Sequence, residues 1–364
     1  MFAIKCQYWM GGTKVVYIEL FALCLMAAVP AVFAQSLQWG VNGHPFTQVG
    51  YRDVPLMEQV ALVAETGATW YRFDLGTDDF NASTARLDQL LATAGTFGIR
   101  LLPVLISTSG ARSGAGTPDE VRAAAFTFAR SVAARYKGRI THWELSNELD
   151  DYSIVRKGDV TRSGKPWSWD PPDGSNADDY EESRYQRAKA EILGLGAGVT
   201  AADPGAVTIV DTAGWLHYGF IERLVREDKV PFSILAWHWY SEMGDMTRVQ
   251  GTLDLVSYLG RYGRPLWITE ISRRNGSEDG NDRQLADYME HDVAKLAANP
   301  RIGALFIYEL LDEPYLGPGN ASSYGLVSVA SAGDGTWLVS GRKQAFASLR
   351  STVAGSGSAA PAAH

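Results

Sequence analysis

The sequence predicts an α/β fold, a single-domain (β/α)8 TIM barrel with elaborated loops after its strands. Three observations carry this. Eight short apolar runs recur along the chain, at 37–42, 69–75, 99–107, 140–147, 206–212, 234–240, 265–271 and 302–310. Stretches with helical apolar spacing lie between them, as Leu87, Leu90, Leu91 and Ala94 show at i, i+3, i+4 and i+7. Several of the runs are almost continuous in apolar residues, which fits parallel strands covered on both faces. At this length and strand count the closed barrel leads. A doubly wound sheet is the alternative, but Gly40, Gly43 and Gly50 after the first run lack the dinucleotide spacing.

The elements follow in order. The second run, TWYRFDL, places Arg72 and Asp74 two residues apart, so they share a strand face. Thr117-Pro118-Asp119-Glu120 is a capping box with proline at the first helical position, and it opens a helix through Val132. The fourth run, ITHWELSN, leads into Glu148, Asp150 and Asp151. Alternation gives Glu144, Ser146 and Glu148 one parity. Later helices are expected at 178–202, 219–228, 246–262, 282–299 and 341–353. Two insertions, 149–178 and 311–340, follow the fourth and eighth runs, and the second ends in a small hairpin around DGTWLVS. Long loops on a rigid scaffold usually carry function, and in a barrel these fall on the catalytic face.

The bulk properties narrow the function. The chain has 364 residues, 46% hydrophobic, enough for one large α/β domain. Its net charge is -8, and no Lys/Arg run interleaves with aromatics, so no nucleic-acid partner is expected. Lys5 and Lys14 precede the apolar run LFALCLMAAV, and small residues in AVFAQS are spaced for cleavage after Ala34. Residues 1–34 are therefore expected to be a signal peptide, and the mature chain from Gln35 to be periplasmic or secreted. The run is shorter than the roughly 20 residues of a span, so no stable membrane insertion of the mature chain is expected. Both cysteines, Cys6 and Cys24, lie in the leader, which leaves the domain at 35–353 without thiol chemistry. The low-complexity tail 354–364 is expected to be disordered.

Two acids close strands. Glu148 ends the fourth run and Glu270 ends PLWITEI, the seventh. In a barrel both would stand at the carboxyl-terminal mouth. A carboxyl pair is the machinery of glycoside hydrolysis: one donates a proton to the leaving oxygen, the other attacks the anomeric carbon or activates water. The bland reading of either acid alone is a loop or capping residue.

The motifs WELSNE and WITE in that strand order resemble the acid/base and nucleophile motifs of clan A retaining glycoside hydrolases. Arg72 matches the clan's second-strand arginine, and His238 and Tyr240 in AWHWY match its sixth-strand positions. YGLV at 324–327 and GRKQAF at 341–346 resemble its lead into the last helix. Within the clan the chain is most similar to glycoside hydrolase family 39, notably its bacterial exopolysaccharide hydrolases, to which WGVNGHP and SNELD contribute. The resemblance implies that Glu148 is the acid/base and Glu270 the nucleophile. It implies that Asn147 binds the hydroxyl beside the anomeric carbon, that Arg72 and Tyr240 hold Glu270, and that His238 lines the same wall. Tyr308 stands where many clan members place a tryptophan under the sugar. The short stretch after the last helix fits the polysaccharide-cleaving type.

The remaining candidates carry less. Asp74 is a possible partner for Arg72, and Glu144 is expected to be a buried arginine partner. His44, His142, His217 and His238 are scattered without metal spacing, so no metal or cofactor is expected. His142 is expected to be packed, and His44 and His217 to sit at the rim. Sugar rings stack on aromatics, so two or three of Trp167, Trp169, Trp215, Trp237, Trp239 and Trp337 are expected to touch substrate, with Trp169, Trp215 and Trp239 foremost. Trp70 and Trp143 are expected in the core. The sequence therefore points to a monomeric retaining hydrolase of β-glycosidic bonds, endo-acting on bacterial exopolysaccharide. The alternatives are a family 5-like β-glycanase or exo-β-glycosidase on plant-type glycans, a transglycosylase, and a non-enzymatic polysaccharide-binding protein.

Overall fold

The computed structural model describes residues 36–356 apart from 279, 320 and 321. Residues 1–35, which include the segment 1–34 expected to be a signal peptide, and residues 357–364 lie outside the described residues.

Eight parallel strands close into a barrel in chain order, so the expected (β/α)8 fold is borne out. They are β1 (Gln38–Gly43), β2 (Trp70–Gly76), β3 (Arg100–Ile106), β4 (His142–Leu145), β5 (Val207–Val210), β6 (Ile234–Tyr240), β7 (Leu266–Ser272) and β8 (Ile302–Ile307). Gly40 pairs with Trp70 on one side and with Phe306 on the other, and this closes the barrel. A Cβ at Gly40 would run into the Phe306 ring, so only glycine admits that ring.

The barrel interior is layered. Trp70, Leu102, Ile209, Ala236, Trp267 and Phe306 form an apolar plug at the amino-terminal end. Arg72 and Asp74 follow Trp70 on the same face of β2, one and two pleats higher. The plug therefore gives way to charge toward the mouth. The opposite faces of the strands pack on the helices in one large core that contains Trp143, Trp237 and Trp239.

A register shift between Trp237 and His238 sets Ile268 opposite Trp237 and Glu270 opposite His238, leaving Thr269 as the extra residue of β7. Such bulges re-aim side chains beside active sites. Thr269 turns inward and donates to Glu144 (3.0 Å), yet Glu270 also reaches the barrel mouth.

Several elements differ from the sequence expectation. β4 ends at Leu145, because Ser146 and Glu148 adopt positive φ (71° and 49°); the parity of Glu148 is set by a left-handed turn and not by strand alternation. The expected helix at 246–262 shrinks to Leu255–Leu259 with a short turn after it. Gln250 and Gly251 take φ of 50° and 80° and fold Val249 back onto Leu253, and Asp254 caps the helix by accepting from Ser257 N. The last helix runs through Ser356, beyond the expected boundary at 353, and Trp39 Nε1 donates to Ser356 Oγ (2.9 Å). The expected hairpin forms from β9 (Val327–Ser331) and β10 (Trp337–Arg342). The capping box at Thr117 forms as expected, at the head of Pro118–Arg135. Among the described residues no helix is long and apolar enough to cross a membrane.

Candidate active site

Arg72 organises the barrel mouth. Its Nε and Nη2 donate to the two oxygens of Glu144 (2.8 and 3.1 Å), its Nη1 to Glu270 (2.7 Å) and Asn42 (2.8 Å), and its Nη2 also to Asn147 (2.8 Å). Guanidinium has five N–H donors, and all five have an acceptor here. Glu144 is the buried arginine partner that the sequence suggested. Asp74 is not: its partner is His44 (3.6 Å). It sits one pleat above Arg72, at the level of the rim, while the guanidinium is engaged below.

Glu270 accepts from Arg72 on one oxygen and from Tyr240 Oη (2.6 Å) on the other. Burial alone would raise its pKa. The charges of His238 and Arg72 and the hydrogen bonds of Tyr240 and Arg72 outweigh burial and hold it below the ordinary carboxylate value. The Tyr240 hydroxyl is pushed well above its ordinary value by burial and by Glu270, so it keeps its proton and donates.

Glu148 stands at the start of the short helix Leu149–Ser153. Its backbone N–H donates to Asp211 (2.9 Å), and Arg112 Nη2 donates to the carbonyls of Asn147 (3.1 Å) and Glu148 (2.7 Å). These bonds hold the left-handed turn. The Glu148 side chain is 29% exposed and bonds His238 Nδ1 at 2.7 Å. His238 also lies 3.6 Å from Glu270. Burial would lower the His238 pKa, but Glu270, Glu148 and Asp211 raise it to about 9, so it is cationic at neutral pH and donates. Asp211, also buried, is pushed well above its ordinary value by desolvation and by the Glu144 charge.

One oxygen of Glu148, one of Glu270 and a ring nitrogen of His238 lie within 4.8 Å of one another. Retaining glycosidases need carboxyl groups about 5–5.5 Å apart and inverting ones about 6.5–9.5 Å. The nearest oxygens of the two carboxyl groups are closer than the inverting range.

A second cluster borders this pair. His44 contacts Glu309 (3.3 Å), which accepts from Tyr51 Oη (2.8 Å). Burial would lower the His44 pKa, but Asp74, Glu309 and Glu313 raise it to about 10. Burial pushes Glu313 up to about 7 and Glu309 well above its ordinary value. His44, Glu309 and Glu313 bring three cation-ligand atoms within 4.8 Å of one another; so do Glu144, Asp211 and His238, where Arg72 already supplies positive charge. The Tyr308 ring meets His44 (5.8 Å), Tyr240 (6.1 Å) and Tyr324 (5.5 Å) edge-on and walls the space between the two clusters.

The tryptophans divide. Trp215 is 47% and Trp169 75% exposed, both on loops of the catalytic face. Trp239 is 1% exposed with Nε1 bonded to Gly244 O (2.7 Å), and Trp237 is fully buried. Both are corrections with one cause: odd positions of β6 face the helices, while His238 and Tyr240 face the mouth. Trp167 is half-buried in its loop with Nε1 on Asp170 O, and Trp337 packs on Tyr315 (5.4 Å) in the hairpin. Trp70 and Trp143 are in the core as expected, and His142 stacks on Trp267 (5.5 Å). His217 is buried against Asp150 (2.5 Å), not at the rim.

Sequence reasoning missed Asp211, Arg112, Asn42 and Asp150 as supports of this site. Asp211 had a usable mark, since it follows β5 as Glu148 follows β4.

A family model described as a glycosyl hydrolase catalytic core matches residues 182–322. A comparison with curated proteins finds no match. Among solved structures, a family 39 glycoside hydrolase from Bacteroides cellulosilyticus WH2 aligns with TM-score 0.62 and 15% identity, over 88% of this chain and 64% of that one. The chain thus spans less than two thirds of that enzyme. A β-glucosidase from Thermotoga maritima aligns with TM-score 0.66 and 12% identity, over 88% of this chain and 98% of that one. Xylanase 10B from Thermotoga petrophila RKU-1 aligns with TM-score 0.56 and 12% identity, over 88% and 95%. The shared barrel and the match over 182–322 bear out the glycoside hydrolase resemblance read from the sequence.

Proposed function

We propose that the chain is a retaining β-glycosidase that cuts within a bacterial polysaccharide outside the cytoplasm. The observation that carries this is the approach of Glu148 and Glu270 to within 4.8 Å at the mouth of the barrel. Glu270, held ionised between Arg72 and Tyr240, attacks the anomeric carbon and forms a covalent glycosyl intermediate. Glu148, the more exposed of the pair, gives its proton to the leaving oxygen, then takes one from the water that releases the sugar. Asn147, fixed by Arg72, faces the same space and is suited to bond the neighbouring hydroxyl. The half-exposed Trp215 and exposed Trp169 support binding of a chain rather than a single sugar, and the leader supports export after cleavage near Ala34.

The test is release of new reducing ends by the chain from Gln35, against a panel of bacterial exopolysaccharides and plant β-glycans, with Glu270→Gln beside it. Release by the wild type alone is expected. Equal release by Glu270→Gln would remove Glu270 from the mechanism. Glu148→Ala is expected to lose more on natural glycans than on aryl glycosides with activated leaving groups; equal losses would remove its acid role.

A further inference from the structure

The loops after β4, β5 and β6 enclose a groove of about 460 Å3, within the usual range of ligand sites. Trp215, Met243, Pro171 and Pro172 line it with the buried Trp239 behind them, and Asp151 and Asp173 are its acidic residues. This groove is built onto Glu148. Asp151 lies on the helix that Glu148 opens. Asp150, on the same helix, is buried and accepts from Ala213 N (3.0 Å) and contacts His217 Nδ1, which ties the Trp215 loop to that helix. Gly214 passes so close to the His238 carbonyl that a Cβ there would clash. His238 in turn bonds Glu148.

Trp215 itself is unusual. It takes φ of 46°, a region that a bulky side chain rarely adopts, and its N–H points at Met243 Sδ (3.4 Å). Backbone outliers of this kind persist where the surrounding structure enforces them and cluster at ligand sites. Here the outlier keeps a large indole half in solvent beside a cavity, when burial would have stabilised it.

We infer that this groove binds the leaving-group side of the glycan, with Trp215 as the platform for a pyranose ring on the Glu148 side of the scissile bond. The inference rests on the hydrolase reading above and specifies which side of the substrate is gripped. Glu148 protonates the departing oxygen, so the sugar carrying that oxygen lies on its side of the pair. No Lys or Arg lines the groove among the described residues, and two aspartates line it. A neutral sugar therefore fits and a uronic acid is disfavoured.

The experiment compares two substrates in wild type, Trp215→Ala and Trp215→Phe. One is a set of gluco-, manno- and xylo-hexasaccharides, whose leaving group is a sugar. The other is the matching β-glycosyl fluorides, whose leaving group is one atom. Trp215→Ala is expected to lower kcat/KM on the hexasaccharides about tenfold more than on the fluorides, which is the loss of ~1.4 kcal/mol of contact. Trp215→Phe, which keeps a ring, is expected to recover most of that ratio. Equal losses on both substrates, or no loss on the hexasaccharides, would overturn the subsite and leave the hydrolase standing. Wild type inert on both substrate types would sink the hydrolase reading and the subsite with it.

Discussion

Arg72 decides how the two glutamates behave. It is buried and neutralises Glu144 and Glu270 at once, so its loss would leave two carboxylates in the barrel without a cation. Breaking a buried pair this way costs about 3–5 kcal/mol. Arg72→Met is expected to lose about that much in urea unfolding, and Arg72→Lys to recover little, because one ammonium cannot serve five acceptor contacts. An unfolding midpoint within error of wild type would contradict the network. The same network sets the pH response. His238 and His44 are raised from 6.5 to about 9 and about 10. Their contribution is complete below pH 6.5 and is lost as pH rises through 9 and 10. Glu270, lowered from 4.5, contributes above pH 4.5 and loses this as pH falls through its folded value. Stability is expected to fall from neutral to alkaline pH, and His238→Asn to flatten that fall; an unchanged slope would show that His238 is not cationic in the fold. The sequence pointed to Glu148, Glu270, Arg72, His238 and Tyr240 because each ends or lines a strand in chain order. It could not pair Arg72 with Asn42, or Asp74 with His44, since contacts across a closed barrel leave no spacing to read.

Secondary-structure elements were readable wherever their cause was local. The capping box at Thr117 is written in four consecutive residues, and Thr117 accepts from Glu120 N while Glu120 accepts from Thr117 N. Thr117→Ala is expected to cost about 1 kcal/mol in unfolding with hydrolysis unaffected, since the Thr117 side chain is spent on Glu120 and not on the glutamates of the mouth. A change in turnover would mean that this helix is coupled to the mouth. The eight strands were readable because both faces are apolar. The elements that failed depend on backbone sign. Apolar spacing across 246–262 looks helical, yet positive φ at Gln250 and Gly251 breaks it. Glu148 reaches the mouth through a left-handed turn held by Asp211 and Arg112, so its parity along the sequence carried no information. The bulge at Thr269 does the same for β7, because it lets two successive residues, Thr269 and Glu270, serve one site.

The whole molecule sorts its chemistry by depth. An aromatic plug fills one end of the barrel, a charge network the middle, and long loops with exposed tryptophans the other end. The proposed leader at 1–34 predicts where the working chain starts: amino-terminal sequencing of the protein recovered from expressing cells is expected to read from Gln35, and an intact Met1 would contradict cleavage. Arrangement at the mouth makes a stronger prediction, because carboxyl separation fixes stereochemistry. The most direct measurement is proton NMR of the first product formed when the wild-type chain cuts a β-linked oligosaccharide. A β-anomer appearing first and equilibrating later is the expected result. An α-anomer appearing first would mean inversion, and would show that Glu270 does not form the covalent intermediate.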